Sequence, residues 1–357
     1  MIHSFSLADT RLVSELQSQG SYLDLRRALL WPRNSVSAAM SIYWPLSRRS
    51  VRTLVFQDNS NGTRVSGFVQ YCERVERHEA DIIFCAPALG TNSADPHSRG
   101  LWQKLMTNLI VRLGERGIQR VYARIPDGAP ELDLFWQLGF SAYARERIYH
   151  RTTTPATSDA PGRVYWRPQH ALDAWNAGQL YSAVTPKLVQ QAENLPQSDP
   201  ETPFRDGFGR RVDRRYIWSE NDELCGILRL IEGTQACWLK LIVDPTCLDR
   251  ADALMRDAMR LVPPIRDAAQ RLYASVREYQ SELEGAVVRA GFAWLATEML
   301  MVKHTTVMVK KPILTPLSAI EGIDARPTSS ATHIVGARPC RGMLSADCRQ
   351  AKPTVRP

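Results

Sequence analysis

The chain has 357 residues, of which 44% are hydrophobic and 23% are charged. This composition is typical of globular proteins, and the length favours two domains over one. No run of about eighteen apolar residues occurs in the sequence, so no membrane-spanning helix and no membrane partner are predicted. The first residues lack the basic and long apolar regions of a secretory signal, which predicts a cytoplasmic protein.

The formal net charge of +8 raises the question of a nucleic-acid partner. Residues 313–357 contain six basic and three acidic residues, and no basic helix face or aromatic–basic pattern accompanies the rest of the excess. We therefore predict no nucleic-acid partner. The seven cysteines form no CxxC pair, which predicts neither a disulfide framework nor a zinc site.

Hydrophobic periodicity predicts the elements of the first half in chain order. Two amphipathic helices are followed by two strands, which the Asn-Gly turn at Asn61-Gly62 joins as a hairpin. A third, mostly apolar strand precedes a helix, a strand, a short helix and a last strand. The predicted ranges are helices at residues 7–19 and 22–31, strands at 52–58, 64–74 and 80–88, a helix at 100–114, a strand at 121–125, a helix at 131–138 and a strand at 140–150.

The second half repeats this order of elements after residues 151–162, whose Thr, Pro and Ser content is typical of a linker. Arg120-Val121-Tyr122-Ala123 corresponds to Arg271-Leu272-Tyr273-Ala274, and Gly139-Phe140 corresponds to Gly291-Phe292. We therefore predict a duplication with halves at residues 1–150 and 163–312. Residues 313–357 are rich in Pro, Ser, Thr and Arg and are predicted to be disordered.

Residues 98–150 resemble the cofactor half of the GNAT N-acetyltransferase superfamily. The resemblance lies in the Arg99-Gly100 turn that opens the first helix and in Gly139-Phe140, which closes the second. It implies an α+β fold of two tandem GNAT-like domains, each with a mixed, mainly antiparallel sheet flanked by helices. It also implies an acyltransferase that moves an acetyl or related acyl group from acetyl-CoA, without a metal, to an amine of a small molecule or a protein.

The resemblance also implies which residues bind the cofactor. The pyrophosphate is expected on backbone N–H groups at a helix start, and the pantetheine arm on a strand edge and against an aromatic wall. Trp102 stands where the family usually has Gly or Ala. Asp244 and Asp249 open the corresponding helix of the second copy, which is degenerate, so the first half is predicted to hold the cofactor. The cofactor residues are Arg99, Gly100, Leu101 and Trp102 for the pyrophosphate and Cys85, Ala86, Pro87 and Phe135 for the pantetheine.

Acetyl transfer needs a base for the amine and an acid for the thiolate. The tyrosine that many relatives use as the acid is replaced by Phe135 in the first copy and Val287 in the second. An alternative is therefore a catalytically inactive GNAT-like binding or scaffold protein. The sequence leaves open a homodimer, and also a solvated or packing role for each catalytic candidate. The candidate bases are Glu73, Glu79 and Asp81, and the candidate acids are Tyr143 and Tyr122.

Overall fold

A single mixed sheet runs through both halves of the sequence in a computed structural model of the chain. The structure describes residues 1–32, 34–43, 51–58, 65–74, 77–90, 96–151, 165–193, 212–220, 223–263 and 271–305. The turn predicted at Asn61-Gly62, all but the first residue of the predicted linker, and the tail at 313–357 lie outside the described residues.

Thirteen strands and nine α-helices are present in the described part of the chain. The strands are β1 Ile2–Ser4, β2 Ser21–Tyr22, β3 Val51–Asp58, β4 Val65–Arg74, β5 Glu79–Ala86, β6 Arg120–Pro126, β7 Ser141–Arg151, β8 Arg167–Pro168, β9 Val212–Glu220, β10 Glu223–Glu232, β11 Ala236–Val243, β12 Arg271–Arg277 and β13 Ala293–His304. The helices are α1 Thr10–Leu16, α2 Leu25–Leu30, α3 Ser35–Met40, α4 Pro96–Glu115, α5 Glu131–Gln137, α6 Ala174–Val184, α7 Lys187–Glu193, α8 Ala251–Arg260 and α9 Leu283–Arg289. No helix among these is both long and apolar enough to cross a membrane.

Each half has the same topology. In the first half β3, β4 and β5 form an antiparallel meander, α4 crosses over to β6, which runs parallel to β5, and α5 leads into β7. In the second half β9, β10 and β11 form the meander, α8 crosses to the parallel strand β12, and α9 leads into β13. The prediction of an α+β fold built from two copies of one topology is confirmed.

The two halves exchange their last strands. The central order of the sheet is β5-β6-β13-β7-β12-β11, so β13 of the second half pairs with β6 of the first, and β7 of the first half pairs with β12 of the second. The strands β7 and β13 also pair with each other. The sheet is therefore continuous across the predicted domain boundary, and residues Met1–Val309 form one compact unit.

Helices cover both faces of the sheet because alternate strand residues point to opposite sides. On one face, α4 and α5 cover the first half, and α4 contributes apolar residues at helical spacing, including Leu101, Leu105 and Leu109. On the same face, α8 and α9 cover the second half. The opposite face is covered by α1 and α3, by Leu30 of α2 and by Ala192 of α7. We call these the α4–α8 face and the α2–α7 face.

Two predicted helix starts are wrong. The fourth helix begins at Pro96 instead of residue 100, because proline is favoured in the first turn of a helix. The second helix begins at Leu25 instead of residue 22, since Asp24 caps it by accepting a hydrogen bond from the Arg27 backbone N–H at 3.1 Å. The residues before Asp24 form β2.

Candidate active site

Strands β5 and β6 part shortly after they begin. They pair in parallel only at Glu79, Ala80 and Asp81. Beyond this point the register between β4 and β5 shifts at Gln70 and Tyr71, and such a bulge bends a strand away from its neighbour. The parting leaves one edge of β5 without a β6 partner from residue 82 onward, at the place where the pantetheine arm was predicted.

Residues 19–25 of the same chain occupy this edge, and we call them the bridging segment. Its strand β2 pairs antiparallel with β5, with Ser21 opposite Cys85 and Tyr22 opposite Phe84. An extended peptide thus takes the hydrogen bonds that the amide groups of a pantetheine arm would need.

The bridging segment reaches from β5 to the strands beyond the gap. The Leu23 N–H donates to the Ile83 carbonyl at 2.7 Å, and the Leu23 carbonyl accepts from the Arg124 N–H of β6 at 3.0 Å. The Leu25 N–H donates to Glu298 Oε1 of β13 at 3.1 Å. The gap between β5 and β6 is therefore bridged by the chain itself.

Gly20 and Ser21 fit the bridging segment into the gap. A Cβ atom on Gly20 would lie 2.1 Å from the Phe84 ring and 2.8 Å from the Cys85 carbonyl oxygen, so only glycine allows this close approach. The Ser21 hydroxyl donates to Glu131 of α5 at 2.6 Å.

The predicted pantetheine residues are part of the first-half core. Cys85 and Ala86 are fully buried. The Pro87 carbonyl accepts a hydrogen bond from Trp102 Nε1 at 2.6 Å. Trp102 and Phe135 are also completely buried and pack in the same core. A cofactor role for these residues stays a prediction that requires the bridging segment to leave.

The predicted pyrophosphate turn lies inside a helix. Because α4 begins at Pro96, the amides of Gly100, Leu101 and Trp102 lie past its first turn, where backbone N–H groups bond to carbonyls four residues earlier. No atom lies within 4 Å of the Cβ position of Gly100, so this glycine is not required by a close contact. Arg99 stands in the first turn.

Glu79 and Asp81 lie together at the paired end of β5 and β6. Arg74 contacts Glu79 at 3.0 Å and donates from two nitrogens to Asp81, one of them at 2.8 Å. Burial raises the pKa of Glu79, and Arg74 and Arg77 offset part of that effect. Burial also acts on Asp81, but Arg74 outweighs it and holds the pKa of this carboxyl below its ordinary value.

The other catalytic candidates are tied elsewhere. Glu73 is buried and forms an ion pair with Arg116 at 2.8 Å, away from the parting of the strands. The Tyr122 hydroxyl lies 3.2 Å from Glu79 and 2.8 Å from the Ala192 carbonyl, and burial raises its pKa. Tyr143 packs edge-on against Tyr122, with ring centroids 6.4 Å apart.

A row of charged residues that the sequence did not predict crosses the four central strands on the α2–α7 face. Glu146 of β7 contacts Arg277 of β12 at 2.8 Å and Arg124 of β6 at 2.7 Å. Arg277 also pairs with Glu193 of α7 at 2.8 Å. Burial opposes ionisation of Glu146, but the two arginines outweigh it and lower its pKa. Glu146 is therefore a fixed, ionised part of the core.

Glu298 occupies the equivalent position in the second copy but has a different environment. Glu146 follows Gly139 by the same number of residues as Glu298 follows Gly291. Arg277 stands opposite Glu146, whereas Pro126 stands opposite Glu298. Glu298 is fully buried and, among the described residues, its Oε2 has no hydrogen-bond partner. Burial raises the pKa of Glu298 to about 7, partly offset by Arg124. Alignment of the two copies with attention to acidic residues would have pointed to this pair.

The second half contains a cleft that no described strand bridges, although the Gln280 side chain donates to the Val243 carbonyl at 3.3 Å. Strands β11 and β12 pair up to Lys240 and Ser275, and no described strand pairs with residues 241–243 on the β12 side. A cavity of about 10 Å³ lies between these strands, α8 and α9, with room for about one water molecule. Val287 lines it, at the position where Phe135 fills the first half. Asp244 caps the following turn by accepting from the Thr246 N–H at 2.9 Å.

Within the described ranges, no group of three or more His, Cys, Asp or Glu side chains is arranged to hold a metal ion. The cysteines in these ranges are not joined in disulfide bonds, namely Cys72, Cys85, Cys225, Cys237 and Cys247.

The sequence matches no known protein family and no curated protein. A GCN5-related N-acetyltransferase from Sphaerobacter thermophilus is 13% identical, with a TM-score of 0.42 over 85% of this chain and 95% of that one. A putative acetyltransferase from Pyrococcus horikoshii is 13% identical, with a TM-score of 0.45 over 86% and 90%. A tandem GNAT protein from the clavulanic acid biosynthesis pathway is 12% identical, with a TM-score of 0.43 over 86% and 98%. These likenesses are partial, so the fold assignment rests on the strand order, crossovers and strand parting of this chain.

Proposed function

We propose that the protein is an acyl-CoA-dependent N-acyltransferase, in the simplest case an N-acetyltransferase, and that acetyl-CoA binds in its second half. The observation that supports this is the difference between the two clefts. The edge of β5 is taken by the bridging segment, whereas residues 241–243 of β11 have no described strand beside them on the β12 side.

The second-half cleft has features that suit a pantetheine arm. The amide groups of the pantetheine arm would pair with the edge of residues 241–243, as a strand would. Its carbon chain would lie against apolar side chains, since the cavity is lined mainly by them, including Leu241, Met255, Val276 and Val287. Binding would require the small cavity to widen between α8 and α9.

The proposed reaction forms a C–N bond between the amine and the acyl carbon and breaks the C–S bond of the thioester. The amine must lose a proton and the thiolate must gain one. Val287 cannot donate a proton, so a water molecule or a carboxylate would relay it. The acceptor is an amine of a small molecule or a peptide, and a cytoplasmic location remains a prediction.

Calorimetric titration with acetyl-CoA tests the proposal. Val287→Phe puts a ring into the small cavity that Val287 lines between α8 and α9, and we expect it to abolish binding there. Val288→Phe makes the same change at an exposed neighbour on α9 and is expected to bind like the wild type. At about 100 times Kd, acetyl-CoA should stabilise the wild-type protein by about 2.7 kcal/mol.

The absence of both heat and thermal stabilisation in the wild type would overturn the proposal. Equal binding by wild type and Val287→Phe would refute the assignment to the second half. The melting temperature of each variant without ligand shows whether it folds, and Val287→Leu is the smaller replacement if Val287→Phe does not.

A second candidate function is a non-catalytic binding or scaffold protein. It is favoured by the absence of a tyrosine at Phe135 and Val287, and by Asp244, whose carboxylate occupies the turn where a phosphate would bind. Carboxylate and phosphate compete for the same N–H groups and helix dipole. Binding of acetyl-CoA without release of free thiol in the presence of a panel of amines would favour this candidate.

A further inference from the structure

We infer that the bridging segment is an autoinhibitory strand that closes a second acyl-CoA site in the first half, and that Glu298 controls its release. The identity of the ligand rests on the proposed function. The closure itself rests on the contacts of residues 19–25 and on the charges around Glu298.

The bridging segment imitates an extended ligand. The Ala88 N–H donates to the Gln19 carbonyl at 2.5 Å, and the Leu23 N–H donates to the Ile83 carbonyl at 2.7 Å. Between these contacts only the two residues of β2 pair with β5. The pairing of β5 with β4 and with β6 does not involve this segment, so the segment can be displaced without loss of the surrounding sheet.

Glu298 joins the bridging segment to the exchanged strand of the other half. Its Oε1 accepts the Leu25 N–H at the first turn of α2. The groups that act on it are Asp24 beside α2, Arg124 on β6 and Glu146 on β7. Two of these three are acidic, and the arginine also serves Glu146 at 2.7 Å.

The duplicated glutamates are therefore unequal. Glu146 stands between Arg277 on β12 and Glu298 on β13, whereas Glu298 stands between Glu146 on β7 and Pro126 on β6. Glu146 is ionised and held in place, whereas Glu298 is buried without a cation of its own among the described residues. Of these two glutamates, Glu298 is the one that can change its charge near neutral pH without breaking an ion pair.

This difference makes closure depend on pH. The pKa of Glu298 is about 7 when it is buried, compared with 4.5 for an exposed glutamate. Between these two pH values Glu298 keeps its proton in the closed state but has lost it in the open state. The ratio of open to closed molecules therefore rises by up to about tenfold per pH unit. Above about pH 7 both states are ionised and the ratio changes no further.

Binding stoichiometry tests the inference. For the wild type we expect one acetyl-CoA at about pH 5 and two at about pH 8, because the first half opens in between. Glu298→Gln stays neutral and should bind one at both pH values. Gly20→Val cannot seat the bridging segment against Phe84 and should bind two at both. Ser18→Val, an exposed position just outside the segment, should behave like the wild type.

Hydrogen exchange tests the opening without any ligand. The amides of Leu23, Ala88 and Arg124 make the contacts of the bridging segment. The hydrogen-exchange rate of each of these amides, divided by the rate of an unprotected amide at the same pH, should rise more than about tenfold from pH 5 to pH 8 in the wild type. It should stay constant in Glu298→Gln and be high throughout in Gly20→Val.

The outcomes separate this inference from the proposed function. No binding at pH 5 and one acetyl-CoA at pH 8 would refute the second-half site and support the opening of the first. No binding at either pH, with the expected exchange, would refute the acyl-CoA function and keep the autoinhibitory strand. Normalised exchange that is independent of pH in the wild type would overturn the inference.

Discussion

The two equivalent glutamates should respond in opposite ways to the same substitution. Glu146→Gln removes the carboxylate between Arg277 and Arg124. The Arg277 side chain is only 1% exposed. In the variant, Glu193 would be the one remaining acidic partner of this buried charge among the described residues. Removing one partner of a buried ion pair costs about 3–5 kcal/mol, and we expect this loss in the free energy of unfolding at about pH 8.

Glu298→Gln removes a carboxylate that is buried without its own cation. At about pH 8 it should cost less than about 1 kcal/mol or stabilise the protein, since an ionised group leaves an apolar environment. The wild type should lose up to about 3 kcal/mol of stability between pH 4.5 and 7, because the folded state binds a proton that the unfolded state releases. Glu298→Gln should not show this loss.

Guanidinium denaturation followed by circular dichroism measures both effects, with wild type and variants compared at each pH. Equal losses for the two variants at pH 8, or a larger loss for Glu298→Gln, would refute the unequal environments of the two glutamates.

Two further predictions concern the core and the turns. Trp102→Phe leaves the Pro87 carbonyl without its hydrogen bond and should lower the free energy of unfolding by about 1–3 kcal/mol; an unchanged denaturation midpoint would show that the carbonyl finds another partner. Gly139→Ala and Gly291→Ala should each cost about 1 kcal/mol in the same assay, because both glycines have φ near +80°, a region that disfavours a Cβ atom. Equal stability of these variants and the wild type would contradict that reason.

The order of the elements was predictable from sequence because it depends on local periodicity and turn residues. The helix around Leu105 and the apolar strand around Ile83 follow from patterns within a few residues. The exchange of β7 and β13 was not predictable. Both strands follow a Gly-Phe pair and carry a glutamate at the same offset, so each has the pattern to complete either half.

The bridging segment was missed for a related reason. Leu23 and Leu30 lie at a helical spacing, and the pattern therefore predicted one helix from residue 22. The extended conformation of Ser21 and Tyr22 depends on the edge of β5, about sixty residues away in sequence. Gly20 and the helix-capping Asp24 were the only local signs that a helix does not run through this segment.

The candidate bases were identified by strand position, but ionisation depends on neighbours. Asp81 and Glu79 proved to share Arg74, which the sequence places on another strand. Glu298 was not identified because its raised pKa results from burial in the exchanged sheet. Tertiary packing, not the local sequence pattern, decides which carboxylate is held in an ion pair and which one can still gain or lose a proton.

The inequality of the two glutamates should be reversible by a single substitution. Pro126 stands opposite Glu298 as Arg277 stands opposite Glu146, and cross-strand neighbours lie on the same face. Pro126→Arg would therefore give Glu298 the cation that its counterpart has. Because an opposite charge within a few ångströms favours the ionised carboxylate, the pKa of Glu298 should fall below 7, and the loss of stability between pH 4.5 and 7 should shrink. Pro126→Gln, which has no charge, is the control. A pH dependence of unfolding that stays the same in Pro126→Arg would mean that the opposing residue does not set the state of Glu298, and that burial alone keeps it protonated.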